Sequence, residues 1–217
     1  DVPSRVVWAP GLSPLVLAPA GFPSCYAEYT GDNATDFNSP DAQALRDALT
    51  AVPPGGTVKV SGYCVGVVTQ DGTEQVAVIT KPVTLIGGFS PSNWMASYPI
   101  TQETTLDAAS AGRVLLVGAV PATMANLTIM RGYTATGDGG GIFAGDALTL
   151  TQTRLVTNVA GISGGGAAVL GVLTLHGGRI ENNSAVGAVG GGLYAGSLRA
   201  ISNTEFISNS ANSFGGG

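Results

Sequence analysis

Residues 155–192 read LVTNVAGISGGGAAVLGVLTLHGGRIENNSAVGAVGGG, and this stretch decides the fold. It carries two glycine triplets, at 164–166 and 190–192. On either side the triplet recurs at 139–141 and 215–217, so successive starts are 25, 26 and 25 residues apart. A second element keeps the same step: IMRG (129–132), LVTN (155–158), IENN (180–183) and FISN (206–209) lie 26, 25 and 26 residues apart. A third, LTL (148–150), LTL (173–175) and LRA (198–200), recurs every 25. A fixed period of this length is a solenoid signature.

Each copy holds three short runs of alternating apolar residues, separated by Gly, Asn, Ser and Ala. Such runs read as strands and turns, not helices. Leucine-rich repeats have a similar length, but their LxxLxLxxN pattern is missing. The pattern predicts an all-β fold, a parallel β-helix with three short strands per coil of about 25 residues. Coils stacked at roughly 4.8 Å turn inward positions into columns. Ile129, Leu155, Ile180 and Phe206 form one; Leu150, Leu175 and Ala200 form another. The glycine triplets mark corners, where φ is positive or stacked backbones approach closely. A phosphate-binding loop is the rival reading, but it needs a following helix and a Lys, and both are missing. Asn158, Asn183 and Asn209 fall at one turn, where asparagine adopts the left-handed conformation and bonds to its neighbours above and below. The outward column Arg154, Arg179, Glu205 reads as a surface charge ladder.

Composition supports this and excludes much else. Glycine supplies 33 of 217 residues, and charged residues only 11%, while apolar residues reach 44%. Disorder needs low hydrophobicity and high net charge; a coiled coil would be rich in Glu, Lys and Arg; collagen would place Gly at every third position. Pro and Gly interrupt every apolar stretch, so no membrane span is expected. A net charge of −5 with nine basic residues makes nucleic acid an improbable partner. No cofactor or metal is expected, since His176 is the single histidine and Cys25 and Cys64 lack zinc-site spacing. A disulfide between those two cysteines is the simplest reading, with a reduced buried pair as the alternative. A bond places the chain in an oxidising compartment, extracellular or at the cell surface. The chain opening at Asp1 then suits a signal peptide already removed.

Four regions follow: an apolar segment 1–24, a stapled cap 25–64, irregular early coils 65–123, and regular coils 124–217. The cap contains an expected helix over 39–52, with Ser39 as N-cap, Pro40 in the first turn and Asp41 favouring the dipole. Ala42, Leu45, Leu49 and Val52 share one face. Laid over the first coil, such a helix covers an edge that would otherwise template aggregation. Residues 90–101 read as a loop excursion in which Trp94 either packs or offers a sugar platform; packing is the stronger reading.

The run from the helix through VKVSGYC (58–64), ITKPVTLIGGF (79–89), then NW, TTLDA and GRVLLV resembles bacterial secreted right-handed parallel β-helix repeat proteins. The repeats are similar to the FxxN and GGA(I/L/V) motifs of polymorphic outer-membrane proteins: FISN at 206–209 matches, LVTN and IENN are conservative versions, and Gly132 replaces the Asn in the first. The resemblance spans about residues 25–217. It implies the fold and a surface location; members serve adhesion, structural and sometimes carbohydrate-active roles.

Catalysis is weighed against this. Glycoside hydrolysis needs two carboxylates about 5–9.5 Å apart, but Asp138, Asp146, Glu181 and Glu205 share no column. A lyase needs an acidic calcium cluster beside a basic residue, and Arg154 and Arg179 have none. Asp71, Glu74, Glu103 and Asp107 fall in the irregular region and are not placed. Ice binding needs threonine columns, and Thr149 and Thr174 are followed by Arg199. The expectation is therefore no catalytic residue and a structural or surface role. The last triplet, with no cap after it, suggests self-association head-to-tail, residues 1–24 adding intersubunit strands. The alternatives are an adhesin passenger from a longer surface protein, contacting a surface polysaccharide or host cell, and a polysaccharide lyase or glycoside hydrolase. Sequons stand at Asn33, Asn126 and Asn182, Asn126 the least suited because it falls in an expected strand.

Overall fold

The computed structural model describes residues 24–70 and 72–216. The expected intersubunit strand in 1–24 therefore lies, except for Ser24, outside the described residues, as does Asp71.

The cap comprises β1 (Cys25–Glu28), β2 (Phe37–Ser39), α1 (Gln43–Ala51) and the start of β3 (Thr57–Val65). β1 runs antiparallel to both β2 and β3. The helix is shorter than 39–52 because its first residues form a side-chain-bonded turn. Ser39 Oγ accepts from the Ala44 amide at 2.9 Å and Asp41 Oδ1 from the Gln43 amide at 2.8 Å. Ala44, Leu45, Ala48 and Leu49 are buried against β1, β2, β3 and β5 (Thr73–Ile79).

Beyond the cap the chain winds as a β-solenoid of about six turns. β4 (Val68–Gln70) forms a hairpin with β5 before β6 (Val83–Ile86), β7 (Thr105–Asp107), β8 (Arg113–Val117) and β9 (Ala122–Ala125). There follow β10 (Thr128–Met130), β11 (Tyr133–Thr134), β12 (Ile142–Ala144), β13 (Leu148–Thr151), β14 (Arg154–Val156) and β15 (Val159–Ala160). The last coils are β16 (Ala167–His176), β17 (Arg179–Glu181), β18 (Ser184–Ala185), β19 (Leu193–Ser202), β20 (Glu205–Ile207) and β21 (Ser210–Ala211).

Parallel pairing arranges these into three walls. Wall 1 stacks β5, β8, β12 and the first halves of β16 and β19. Wall 2 stacks the first half of β3, then β6, β9, β13 and the second halves of β16 and β19. Wall 3 stacks the end of β3, then β7, β10, β14, β17 and β20. A fourth ladder of two-residue strands, β11, β15, β18 and β21, is added at the corner leading to the glycine triplets.

Apolar columns fill the interior. Wall 1 contributes Ala77, Leu115, Ile142, Ala167 and Leu193. On wall 3, Ile129, Leu155, Ile180 and Phe206 share one column, which continues downward through Leu106 to Cys64. On wall 2, Val58, Leu85, Met124, Leu150 and Leu175 are in register. Here the expected successor Ala200 is corrected: a bulge shifts the register by one, so Ile201 lies opposite Leu175 and Ala200 opposite Thr174. The extra residue keeps an apolar side chain, Ile201, in the inward column, where an unbulged register would have put Ala200.

The corners explain the glycines. In the middle triplet Gly164 has φ +64°, a left-handed conformation strained for residues with a Cβ. A Cβ on Gly165 would run into the carbonyl oxygens of Gly191 and Ser184 on the next coil and its own. Elsewhere the corners are left-handed without glycine: Arg131, Thr157, Asn182 and Ser208 repeat at φ 51–55°.

Candidate functional site

Cys25 and Cys64 are joined, with Cα atoms 4.6 Å apart. Both are fully buried, and the bond fastens β1 of the cap to the foot of the wall 3 column. Among the described residues no helix is long and apolar enough to cross a membrane.

The asparagines face inward, with the left-handed residue being the one before each of them. Asn183 Oδ1 accepts from the amide and the Nδ2 of Asn158, both at 3.0 Å, and Asn209 Oδ1 accepts from the corresponding groups of Asn183 at 3.1 and 3.0 Å. Asn158, Asn183 and Asn209 also donate from Nδ2 to the carbonyls of Ile129, Leu155 and Ile180, one coil earlier. At the lower end the Gly132 amide donates to Asn158 Oδ1 at 2.8 Å. Asn158 and Asn183 thus each bond three coils. A buried amide with all its groups paired resists slippage between coils, because any shift leaves donors unsatisfied.

The outward column Arg154, Arg179, Glu205 is in register on wall 3. Its two stacked guanidinium groups are separated by Glu181 from the neighbouring column. Glu181 Oε1 lies 2.7 Å from Arg154 and Oε2 3.5 Å from Arg179, while Glu103 and Glu205 complete the row at 3.3 and 2.8 Å. Asp138 Oδ1 accepts from the Ser163 amide at 2.9 Å.

A second polar cluster escaped the sequence reading. Asp107 is fully buried and accepts from Tyr63 Oη and from Nε and Nη2 of Arg131, which reaches down one coil. Arg131 also donates to Tyr63 Oη at 3.0 Å. Burial, followed by the hydrogen bond to Asp107, pushes the Tyr63 hydroxyl up to about 12. The hydrogen bonds from Arg131 to Asp107 raise its own pKa. The available signal was register: Arg131 replaces the small corner residues Thr157, Asn182 and Ser208, one coil above an acid in a strand.

Trp94 is buried: its backbone amide donates to Asn33 Oδ1 at 2.7 Å, its Nε1 to Thr35 Oγ1 at 3.1 Å, and its ring packs on Phe89. It is a loop anchor. Asn126 lies at a corner with φ +58°, not in a strand, and its Nδ2 donates to Ser97 Oγ at 3.0 Å.

The threonine column is longer than the sequence reading allowed. Thr57, Thr84, Thr123, Thr149 and Thr174 stack on wall 2, and the bulge places Ala200, not Arg199, next. The adjacent outward column (Ile86, Ala125, Thr151, His176, Ser202) is mixed, so the row is one residue wide.

At the far edge the apolar columns meet solvent. Leu198 is 53% and Ile201 45% exposed, against 1% each for Leu173 and Leu175 one coil earlier. At the opposite end β2 pairs only with β1 among the described residues. No protein-family model, curated protein or solved structure matches this chain.

Proposed function

We propose that the protein is a non-catalytic, extracellular or cell-surface structural β-solenoid that associates head-to-tail by adding coil to coil. The observation that supports it is the use made of the polar side chains. Glu181 and Glu205 pair with the stacked arginines, Asp138 with the Ser163 amide, and the asparagines with one another. Groups committed to coil-to-coil bonds serve stacking and are withheld from proton transfer. The disulfide favours an oxidising location.

Leu198, Ile201 and Phe206 supply the apolar surface on which a further coil sits, and the edges of β19 and β20 supply its hydrogen bonds. The receiving end on a neighbour is the β2 side of the cap. Repetition of this heterologous contact gives a fibre. A surface-anchored passenger of the polymorphic outer-membrane type is the second reading, favoured by FISN at 206–209. Light scattering across a concentration series tests the first: Ile201→Asp should abolish a concentration-dependent rise in mass. A constant monomer mass for the unmodified chain overturns it.

A further inference from the structure

A cleft of about 260 Å³ opens beside wall 1, lined by Thr73, Glu74, Gly112, Arg113, Tyr133 and Thr136 among others. Arg113 is only 9% exposed. Its guanidinium lies over the Phe143 ring, 5.5 Å from the centroid, and donates from Nε to Gly139 O and from Nη2 to Asp138 O, each at 2.9 Å. These acceptors are neutral. Asp138 offers Arg113 its carbonyl while its carboxylate is held by the Ser163 amide. Among the described residues no carboxylate lies within ion-pair distance of Arg113, and its Nη1 has no acceptor. The other side chain of note is Tyr133, 45% exposed.

A cation this deeply buried carries a desolvation cost that an anion repays in part. Burial lowers the pKa of Arg113 and outweighs the attraction of the Asp138 charge, which raises it from beyond ion-pair distance. An exposed aromatic ring beside it offers a flat apolar face. Glu74, whose Oε1 is engaged by Thr69 and whose Oε2 is buried without a hydrogen-bond partner, adds a negative charge to the same cleft and disfavours multiply charged anions. We propose that this cleft binds a single carboxylate carried on a ring, the anion meeting Arg113 Nη1 and the ring lying on Tyr133. The site is independent of the self-association described above.

Two-dimensional NMR titration of the full chain tests it, with D-glucuronate and benzoate as probes. Acetate, a carboxylate without a ring, and D-glucose, a ring without a carboxylate, serve as controls. At least one ring carboxylate should bind more tightly than either control and shift the amides of Arg113, Tyr133 and Thr136. Binding of glucuronate alone identifies a sugar acid, of benzoate alone an aromatic acid. Arg113→Lys should weaken binding, but Arg113 also holds two carbonyls and that variant can fail to fold. Tyr133→Ala removes only an exposed ring and should weaken binding about three- to tenfold. Equal binding of probes and controls, shifts that map elsewhere, or a Tyr133→Ala variant that binds unchanged overturns the proposal.

Discussion

Cys64 occupies the first position of the wall 3 core column, directly below Leu106, and its bond to Cys25 ties that column to β1. The disulfide is therefore the lowest rung of the core as well as a staple of the cap. It closes a loop with a sequence separation of 39, for which loop entropy alone gives about 4 kcal/mol. Cys25→Ala with Cys64→Ala should lower the unfolding free energy by that order in urea titrations under oxidising conditions. The cap should be lost first, read as early proteolysis before residue 65.

The asparagine ladder makes a graded prediction. Asn183→Ala removes the acceptor of two Asn158 donors inside the core and should cost about 3 kcal/mol. Asn209→Ala, at the half-buried end of the ladder, should cost less. Equal losses would show that the ladder does not act through buried, unsatisfied donors.

Tyr63 gives an alkaline signature. Its hydroxyl ionises at about 12 in the folded protein, raised from 10.0, so between those values the folded chain holds a proton that the unfolded chain releases. This contribution to stability is complete below pH 10 and declines as pH rises toward 12. In Tyr63→Phe the decline over that window should be shallower, and absorbance titration should lose its highest-pH tyrosine step.

Two glycines separate packing from conformation. Gly165→Ala drives a methyl group into carbonyls of adjacent strands and should abolish folding or cost at least about 3 kcal/mol. Gly31→Ala has φ +82° but open space around the added carbon, so only the left-handed strain remains, about 1 kcal/mol. Circular dichroism melts of the pair check the difference.

The coil architecture was legible because stacking demands repetition: one glycine triplet and one asparagine per coil repeat the same backbone need along the chain. Arg199 was misread because a bulge adds a residue without breaking the 25-residue period, and only pairing shows which side chain turns inward. The Asp107–Arg131–Tyr63 cluster was illegible for another reason. Its members sit up to 68 residues apart in chain order, in coils whose spacing is irregular. Contacts between stacked coils are long-range by construction, and period alone places them only where it is constant.

Electron microscopy of the concentrated, oxidised 217-residue chain tests the central claim most directly. The account predicts unbranched filaments one solenoid wide, with cross-β spacing of roughly 4.8 Å along the axis, and their loss in Ile201→Asp. A field of separate particles at every concentration would contradict it.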